Sequence, residues 1–511
     1  MEFKRPVLMR LLETQVHQWL KDFLRQQKNA APICSGWPHH LTMARLISRS
    51  LRLKRSALIQ TGSSFSRYCL SYLAPALLSN EPICLVVPYY IQNWLIEIIL
   101  PRLCEELLIK TPIFRDPRHI GQGLIVATTK DWLELAIVNL QPNILTIIDQ
   151  ADQLEDHLRE ILSVKIALEE WLILLEVFDQ EQDLIQNTRA KLTHSIFTHP
   201  ENPYNCYLLE DLEYRYFMEL LIHLKTLTPL PRIWQKFEQQ AQSINQATST
   251  IVDRVTGYFT LQTTPLDISS VLGDILRQQP IVLISGFLDL QKDAQPYRSS
   301  LKLGDILPVN FSPNRHTDQI NLYIPRWLPL PNTPEFQAAL LREICCLVKL
   351  TVISNKILVI IVEDVPLRAQ IASVLAAEYG TRVQVESFDI KPEDGILITS
   401  WEFWISNQRN FSIPFLLIMA TLPIPSPENP LVAAQISYHK KQKQDWFRLY
   451  LLPETLKMIQ RVVIPLRESN STIALLDTRV SCRSYGSEIL EALAPYARID
   501  KLDQEFIMAL S

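Results

Sequence analysis

Glycine is scarce in this chain, at 11 of 511 residues. Loops that wrap phosphates are built from glycine backbone, so few segments qualify and each must be read letter by letter. The eight cysteines contain no C-x-x-C pair, and the neighbours Cys345 and Cys346 cannot easily bridge each other; reduced, mostly buried thiols follow. The ten histidines give no ligand spacing, since His39 with His40 and His194 with His199 miss the i, i+4 step that puts two rings on one helix face, and no metal site is expected. Positive charge is not in excess. Fifty Lys and Arg stand against 54 Asp and Glu, a net charge of -4, which leaves only a local basic face to attract nucleic acid. No apolar run is long and uninterrupted: Ile344 to Val362 is broken by Lys349 and Lys356, which marks buried strand rather than membrane span. Met1 to Arg10 carries Glu2, Lys4 and Arg5 where a secretory leader needs an apolar core. A cytoplasmic protein with no membrane partner is expected.

What is present is a globular composition, 47% hydrophobic and 20% charged, in a chain long enough for about two to four domains. Residues 11 to 30 carry Leu12, Val16, Leu20 and Phe23 at helical spacing. A second helix is predicted from His40 to Leu53, with Leu41, Ala44, Ile47 and Leu51 inward; Arg45, Arg49 and Arg52 fall on another face, followed by Lys54 and Arg55. That basic stripe reads either as a solvated face or as a phosphate-contacting one. From Ser56 the order becomes strand, turn, helix, strand: Ala57 to Gln60, Thr61 to Ser64, Leu70 to Leu78, Ile83 to Val87. Apolar runs at Leu124 to Ala127, Leu145 to Asp149 and Ile281 to Ser285 would complete a parallel sheet covered by helices. Between Glu155 and about Ile251 the pattern is helical, without obvious strand alternation. Alternation restarts with strands at Ile320 to Ile324, Ile357 to Val362, Arg382 to Glu386, Ile396 to Ile398, Phe415 to Met419 and Thr472 to Leu476, and helices at Glu335 to Val348, Pro366 to Tyr379 and Pro430 to Tyr438. The fold class is therefore α/β: two doubly wound parallel-sheet domains, 1–154 with 252–310 and 311–511, the first split by a helical insertion at 155–251.

Ile144 to Leu154, I-L-T-I-I-D-Q-A-D-Q-L, has the shape of a Walker B strand running into an Asp-Glu-Ala-His box with two letters changed. Asp149 is placed to hold Mg²⁺ beside a nucleotide, but Gln150 stands where a base for the attacking water belongs. The layout resembles superfamily 2 helicases of the DinG and XPD type. Residues 421–435, T-L-P-I-P-S-P-E-N-P-L-V-A-A-Q, are similar to that family's K-L-P-F-x-x-P-x-D-P-x-x-x-A-R segment, Phe447 to Gln460 to its run into the Q-G-x-G-R-x-I-R box, and Ile473 to Tyr485 to its closing V-x-x-L-D-x-R-x-x-x-x-Y-G, with Asp477, Arg479, Tyr485 and Gly486 keeping the pattern. Thr264 to Ser269 and Phe311 to Pro325 resemble connecting pieces, Leu70 to Leu78 the helix after the phosphate loop, and Trp37 to Ala44 the family opening, with His40 where Gln is expected. The resemblance implies two RecA-like lobes of the P-loop NTPase type, ATP and Mg²⁺ as cofactors if the motor works, single-stranded nucleic acid as partner, and a role in DNA repair.

The chemical letters depart from the family. A phosphate loop needs successive backbone N–H groups, a Lys and a Mg²⁺-binding hydroxyl. Here Gln60 to Cys69 reads Q-T-G-S-S-F-S-R-Y-C: aligned on Thr61 and Gly62 the Lys position holds Ser63, aligned on the following helix it holds Tyr68. Ser64 and Arg67 complete a vestigial loop, although the planar fork of Arg67 replaces a point charge poorly. Gln150 cannot take a proton from water, and general-base help is worth about 10² to 10⁴ in rate. The S-A-T motif appears as Ser285-Gly286-Phe287, and the F-W-E-G-x-D box keeps only Phe403 and Trp404. The final box keeps Gln460 and Arg467 but puts Ile464 at the first Arg, and an arginine finger contributes about 10³ to 10⁵. Relatives commonly hold an iron-sulfur cluster on four cysteines between loop and Walker B strand; here the interval offers only Cys69, Cys84 and Cys104, so no cluster is expected.

Three functions stay open at this point. The first is a helicase-like protein with hydrolysis lost, kept as a nucleic-acid-binding or protein-interaction module; its nucleic-acid contacts would be Arg45, Arg49, Arg52, Lys54 and Arg55, with Phe403 and Trp404 stacking on bases. The second is an active, divergent ATP-dependent DNA helicase using Arg67, Asp149 and Arg467. The third is a structural partner protein binding neither nucleotide nor nucleic acid.

Overall fold

The computed structural model describes residues 11–26, 36–107, 109–119, 121, 123–139, 144–313, 315–351, 356–391, 393, 395–469 and 471–502. After helices α1 (Leu12–Gln26) and α2 (His40–Leu53) the chain enters β1 (Ala57–Gln60), then α3 (Phe65–Tyr68) and α4 (Leu70–Leu78). Strands β2 (Ile83–Val87), β3 (Ile113–Phe114), β4 (Leu124–Thr128) and β5 (Leu145–Asp149) follow. The chain departs through β6 (Val164–Ile166), β7 (Cys206–Leu208), β8 (Gln246–Asp253) and β9 (Tyr258–Pro265), and returns with β10 (Ile281–Ser285) and β11 (Leu307–Asn310). The first sheet is parallel throughout, in the order β11-β1-β10-β5-β2-β4-β3. Its central strands β1, β2, β5 and β10 are buried at every position, which is why they read as continuous apolar runs.

The second sheet takes β12 (Ile320–Tyr323), β13 (Leu358–Ile361), β14 (Val383–Val385), β15 (Ile396–Thr399), β16 (Leu416–Met419), β17 (Thr472–Leu475) and β18 (Tyr496–Ile499). It is again parallel, ordered β14-β15-β13-β16-β17-β12-β18. Two RecA-like parallel-sheet lobes are thus present. The stretch from Ile344 to Val362 is shared between a helix, Phe336–Thr351, and β13. Among the described residues no helix is long and apolar enough to cross a membrane.

The chain forms two compact units, one holding both parallel sheets (1–152, 276–424 and 453–511) and one made of 153–275 with 425–452. The second unit departs from the expected all-helical insertion. Helices Leu168–Val177, Gln182–Thr198, Asp211–Leu227 and Arg232–Ala241 pack round Trp171, Phe217, Trp234 and Phe237, but an antiparallel sheet β6-β9-β8-β7 packs with them. Its buried positions include Ser249, Thr250 and Thr263, so polar residues sit where an apolar alternation would announce a strand. The helix Pro430–Lys441 joins this unit: Gln435 Nε2 donates to the Leu266 carbonyl at 2.8 Å and the Tyr438 hydroxyl to Asp267 at 3.1 Å.

Candidate functional site

The carboxyl ends of β1, β5 and β10 bring the loop 61–64, Asp149 with Gln150, and Ser285 together, the place where parallel α/β sheets take ligands. In a working phosphate loop the backbone N–H groups face the anion. Here the Thr61 N–H donates to the Ser285 carbonyl at 2.9 Å and the Gly62 N–H to the Gly286 carbonyl at 3.0 Å. Thr61 Oγ1 donates to the Ser63 carbonyl at 3.1 Å, and Ser63 Oγ is buried with no hydrogen-bond partner. Gly62 has φ +60°, and a Cβ there would lie 2.7 Å from the Pro313 ring and 2.9 Å from the Phe311 carbonyl. Gly62→Ala should therefore cost about 1–3 kcal/mol, read as a lowered urea midpoint at an unchanged m-value.

The polar side chains of the loop meet protein partners. Ser64 Oγ donates to the Glu468 carboxylate and contacts Ser66 Oγ at 2.8 Å. Arg67 forms an ion pair with Asp318 at 3.0 Å and donates to the Gly36 carbonyl at 3.1 Å, so it is committed to protein partners.

Asp149 is fully buried at 0% exposure. The Tyr68 hydroxyl donates to its Oδ1 at 2.6 Å and the Tyr72 hydroxyl to its Oδ2 at 2.9 Å, while the Gln150 N–H reaches Oδ1 at 2.8 Å. Burial pushes the carboxyl up to about 6 against the pull of these donors, and burial also raises both phenols, with the Asp149 charge adding to it. Gln150 holds φ +60° and turns its Nε2 to the Tyr68 hydroxyl at 3.2 Å. Mg²⁺ takes oxygen ligands in a nearly octahedral shell; both Asp149 oxygens already accept hydrogen bonds from the protein. Cys69 and Cys84 are buried and Cys104 is half-buried, three thiols where a four-thiolate cage is needed.

The box on helix Leu452–Leu466 divides. Ile464 reaches the site as an apolar plug: a Cβ on Gly286 would meet its Cδ1 at 2.7 Å. Gln460 and Arg467 go elsewhere, Gln460 Nε2 to the Ala492 carbonyl and Arg467, 2% exposed, to the carbonyls of Asp318, Leu493, Ala494 and Pro495 at 2.8–3.1 Å. The guanidinium that does reach the Walker B segment belongs to Arg461, which binds Asp152 Oδ2 at 2.9 Å while Ser285 Oγ donates to Asp152 Oδ1 at 2.6 Å. Sequence reading gave no role to Tyr68, Tyr72, Asp152, Arg461, Asp318 or Glu468. One signal was present: Asp152 and Arg461 are both departures from the family letters, and their charges are opposite.

The basic stripe is exposed on α2, as expected from its spacing. Arg52 is held by Glu13 at 2.8 Å and Lys54 by Glu81 at 3.5 Å. Of the aromatic pair, Trp404 is buried at 1% exposure and stacks on Phe411, which removes it from reach of a base, while half-buried Phe403 lies beside exposed Phe388.

The fold with two RecA-like lobes matches solved XPD helicase structures. An apo XPD structure superposes with a TM-score of 0.58 at 12% identity, covering 90% of this chain and 100% of that one, and Xpd4 of S. tokodaii with 0.59 at 13%, covering 90% and 99%. In sequence, 259 residues are 25% identical to the ATP-dependent DNA helicase YoaA of Escherichia coli K12, a match covering 47% of this chain and 40% of that protein. The chain is similar to XPD helicases in fold and to this helicase over part of its sequence. It spans less than half the length of that curated relative, and no protein-family model matches it. The letters that resemble the DinG and XPD pattern serve the scaffold: Asp477 accepts from the Leu422 N–H at 2.8 Å and from the Arg479 fork at 2.6–3.0 Å, and Gly486 sits so close to the Val480 carbonyl that a Cβ would collide with it.

Proposed function

We propose that this helicase-like protein no longer hydrolyses ATP and persists as a nucleic-acid-binding module, with lobes at 1–154 with 252–310 and at 311–511. The observation that carries the reading is the engagement of both Asp149 oxygens by the hydroxyls of Tyr68 and Tyr72. Around it, Glu468 holds the loop hydroxyl of Ser64, Ile464 stands where a finger arginine belongs, and Arg467 is tied to four carbonyls. An arginine finger supplies about 4–7 kcal/mol of barrier lowering, so a motor lacking one works close to background.

Nucleic acid is favoured over a purely structural partner by the exposed arginines of α2 on an otherwise acidic chain. Titration calorimetry with Mg²⁺ and ATP should give no binding heat, and phosphate release in the presence of single-stranded DNA should equal the protein-free blank. Single-strand-stimulated turnover that disappears in Asp149→Ala would overturn the proposal and install the active-helicase reading.

A further inference from the structure

A basic concavity lies at the opposite end of β1 from the loop described above. A cleft of about 1250 Å³ opens between α1, the exposed face of α2 and the start of β11. Its cationic wall is Arg45, Arg49, Lys54, Arg55 and Arg298, with His17 beside them. Two acids line it, Glu13 and Asp305, and Glu13 is already neutralised by Arg52 at 2.8 Å. Positive charge is thus concentrated locally on a protein of net charge -4. Arg298 is tethered beside the cleft by the hydrogen bond from its Nη2 to the Gly304 carbonyl at 3.3 Å.

The position excludes an inherited nucleotide pocket. The cleft is lined by Ser56, just before β1, and by Leu307 and Pro308 at the start of β11, the amino ends of the strands, whereas nucleotides in parallel sheets sit at the carboxyl ends. A peptide strand is disfavoured too. β11 is the edge strand, but Pro308 has no N–H to pair with an added strand. Exposed Leu53 and Leu307 supply an apolar floor between the cations. Cations spaced along a helix above an apolar floor match phosphates alternating with sugars and unpaired bases.

We propose that this cleft binds the backbone of a single-stranded nucleic acid, with Arg45, Arg49 and Arg55 on successive phosphates. The inference deepens the nucleic-acid half of the proposed function and rests on it. Its test is fluorescence anisotropy of a labelled oligothymidylate on the full chain, across a salt series of about 50–200 mM. The triple change Arg45→Gln, Arg49→Gln, Arg55→Gln should weaken binding at least about tenfold and flatten the log–log salt slope by about 2, at roughly 0.7 per contact. The corresponding triple change to Lys should keep the wild-type slope, and equal melting temperatures of the three proteins establish that the fold is intact. Wild-type affinity in the Gln variant would overturn this site while leaving nucleic-acid binding standing; no binding by the wild type would overturn both. Inorganic triphosphate serves as the remaining arm: failure to displace the strand supports the proposal, whereas binding that depends equally on the three arginines identifies a small-anion pocket and overturns it.

Discussion

Arg467→Ala should lower the unfolding free energy by about 3–5 kcal/mol, because one buried guanidinium serves four carbonyls that water cannot reach once it is gone. The acceptors come from three places, Asp318 ahead of β12, the helix end at Leu493 and Ala494, and Pro495 before β18. Its removal loosens one edge of the second sheet. Arg467→Lys should recover only part of the loss, since a compact ammonium cannot reproduce a planar fork with four directed N–H bonds. Urea unfolding followed by tryptophan fluorescence reads both values. A finger residue behaves in the opposite way, sparing stability and abolishing turnover, so a loss under about 1 kcal/mol would return Arg467 to the list of chemical groups.

The second large effect concerns the buried carboxylate. Changing Tyr68 and Tyr72 together to Phe keeps both rings and removes the two hydroxyls on Asp149. Near pH 8 the cost should be about 3–5 kcal/mol, the penalty of leaving a buried charge uncompensated. The sign of the pH dependence follows from proton uptake. Asp149 is raised from 3.8 to about 6 in the folded protein, so between those values the native state holds a proton the unfolded chain lacks, and this group makes stability fall as pH rises through that window. The hydroxyls hold the value down, and deleting them raises it further. The double variant should therefore lose most near pH 8 and only about 1–3 kcal/mol near pH 5, where the carboxyl is neutral. Urea titrations at both pH values decide the matter; equal losses would mean that the two phenols do not act on a carboxylate.

The strands at the heart of both lobes were legible because they are buried on two faces. Ala57 to Gln60, Ile83 to Val87, Leu145 to Asp149 and Ile281 to Ser285 occur within the bounds their apolar runs suggest. Edge strands were not: β3 has two residues, and β11 carries a Pro and an exposed Leu307, so neither presents an apolar run. The antiparallel sheet hid behind buried Ser and Thr. The passage of 425–452 into the second unit left no local mark, because it depends on pairs such as Gln435 with Leu266. The same limit applied to the site. Departures from the family letters at Gln150 and Ile464 were visible in the sequence, while the side chains that meet around them lie far apart along the chain. Ser64 meets Glu468 and Asp152 meets Arg461, partners that no spacing rule connects. Arg467 matches its family letter, and that letter says nothing of the four backbone carbonyls it binds.

Those distant pairings also set an order of events during synthesis. A ribosome that has released the first 310 residues has delivered every strand of the first sheet, yet none of Arg409, Arg461, Ile464 or Glu468. Tyr90 and Phe65, which sandwich Arg409 at 3.8 and 4.2 Å, and Asp152 must wait for residues made about a hundred or more positions later. Closing such wide loops is slow, and during the wait the nascent first lobe displays an aromatic pair and an unanswered acid. The segments that carry Arg409 and then Arg461 to Glu468 act as the clasp that ends this vulnerable interval.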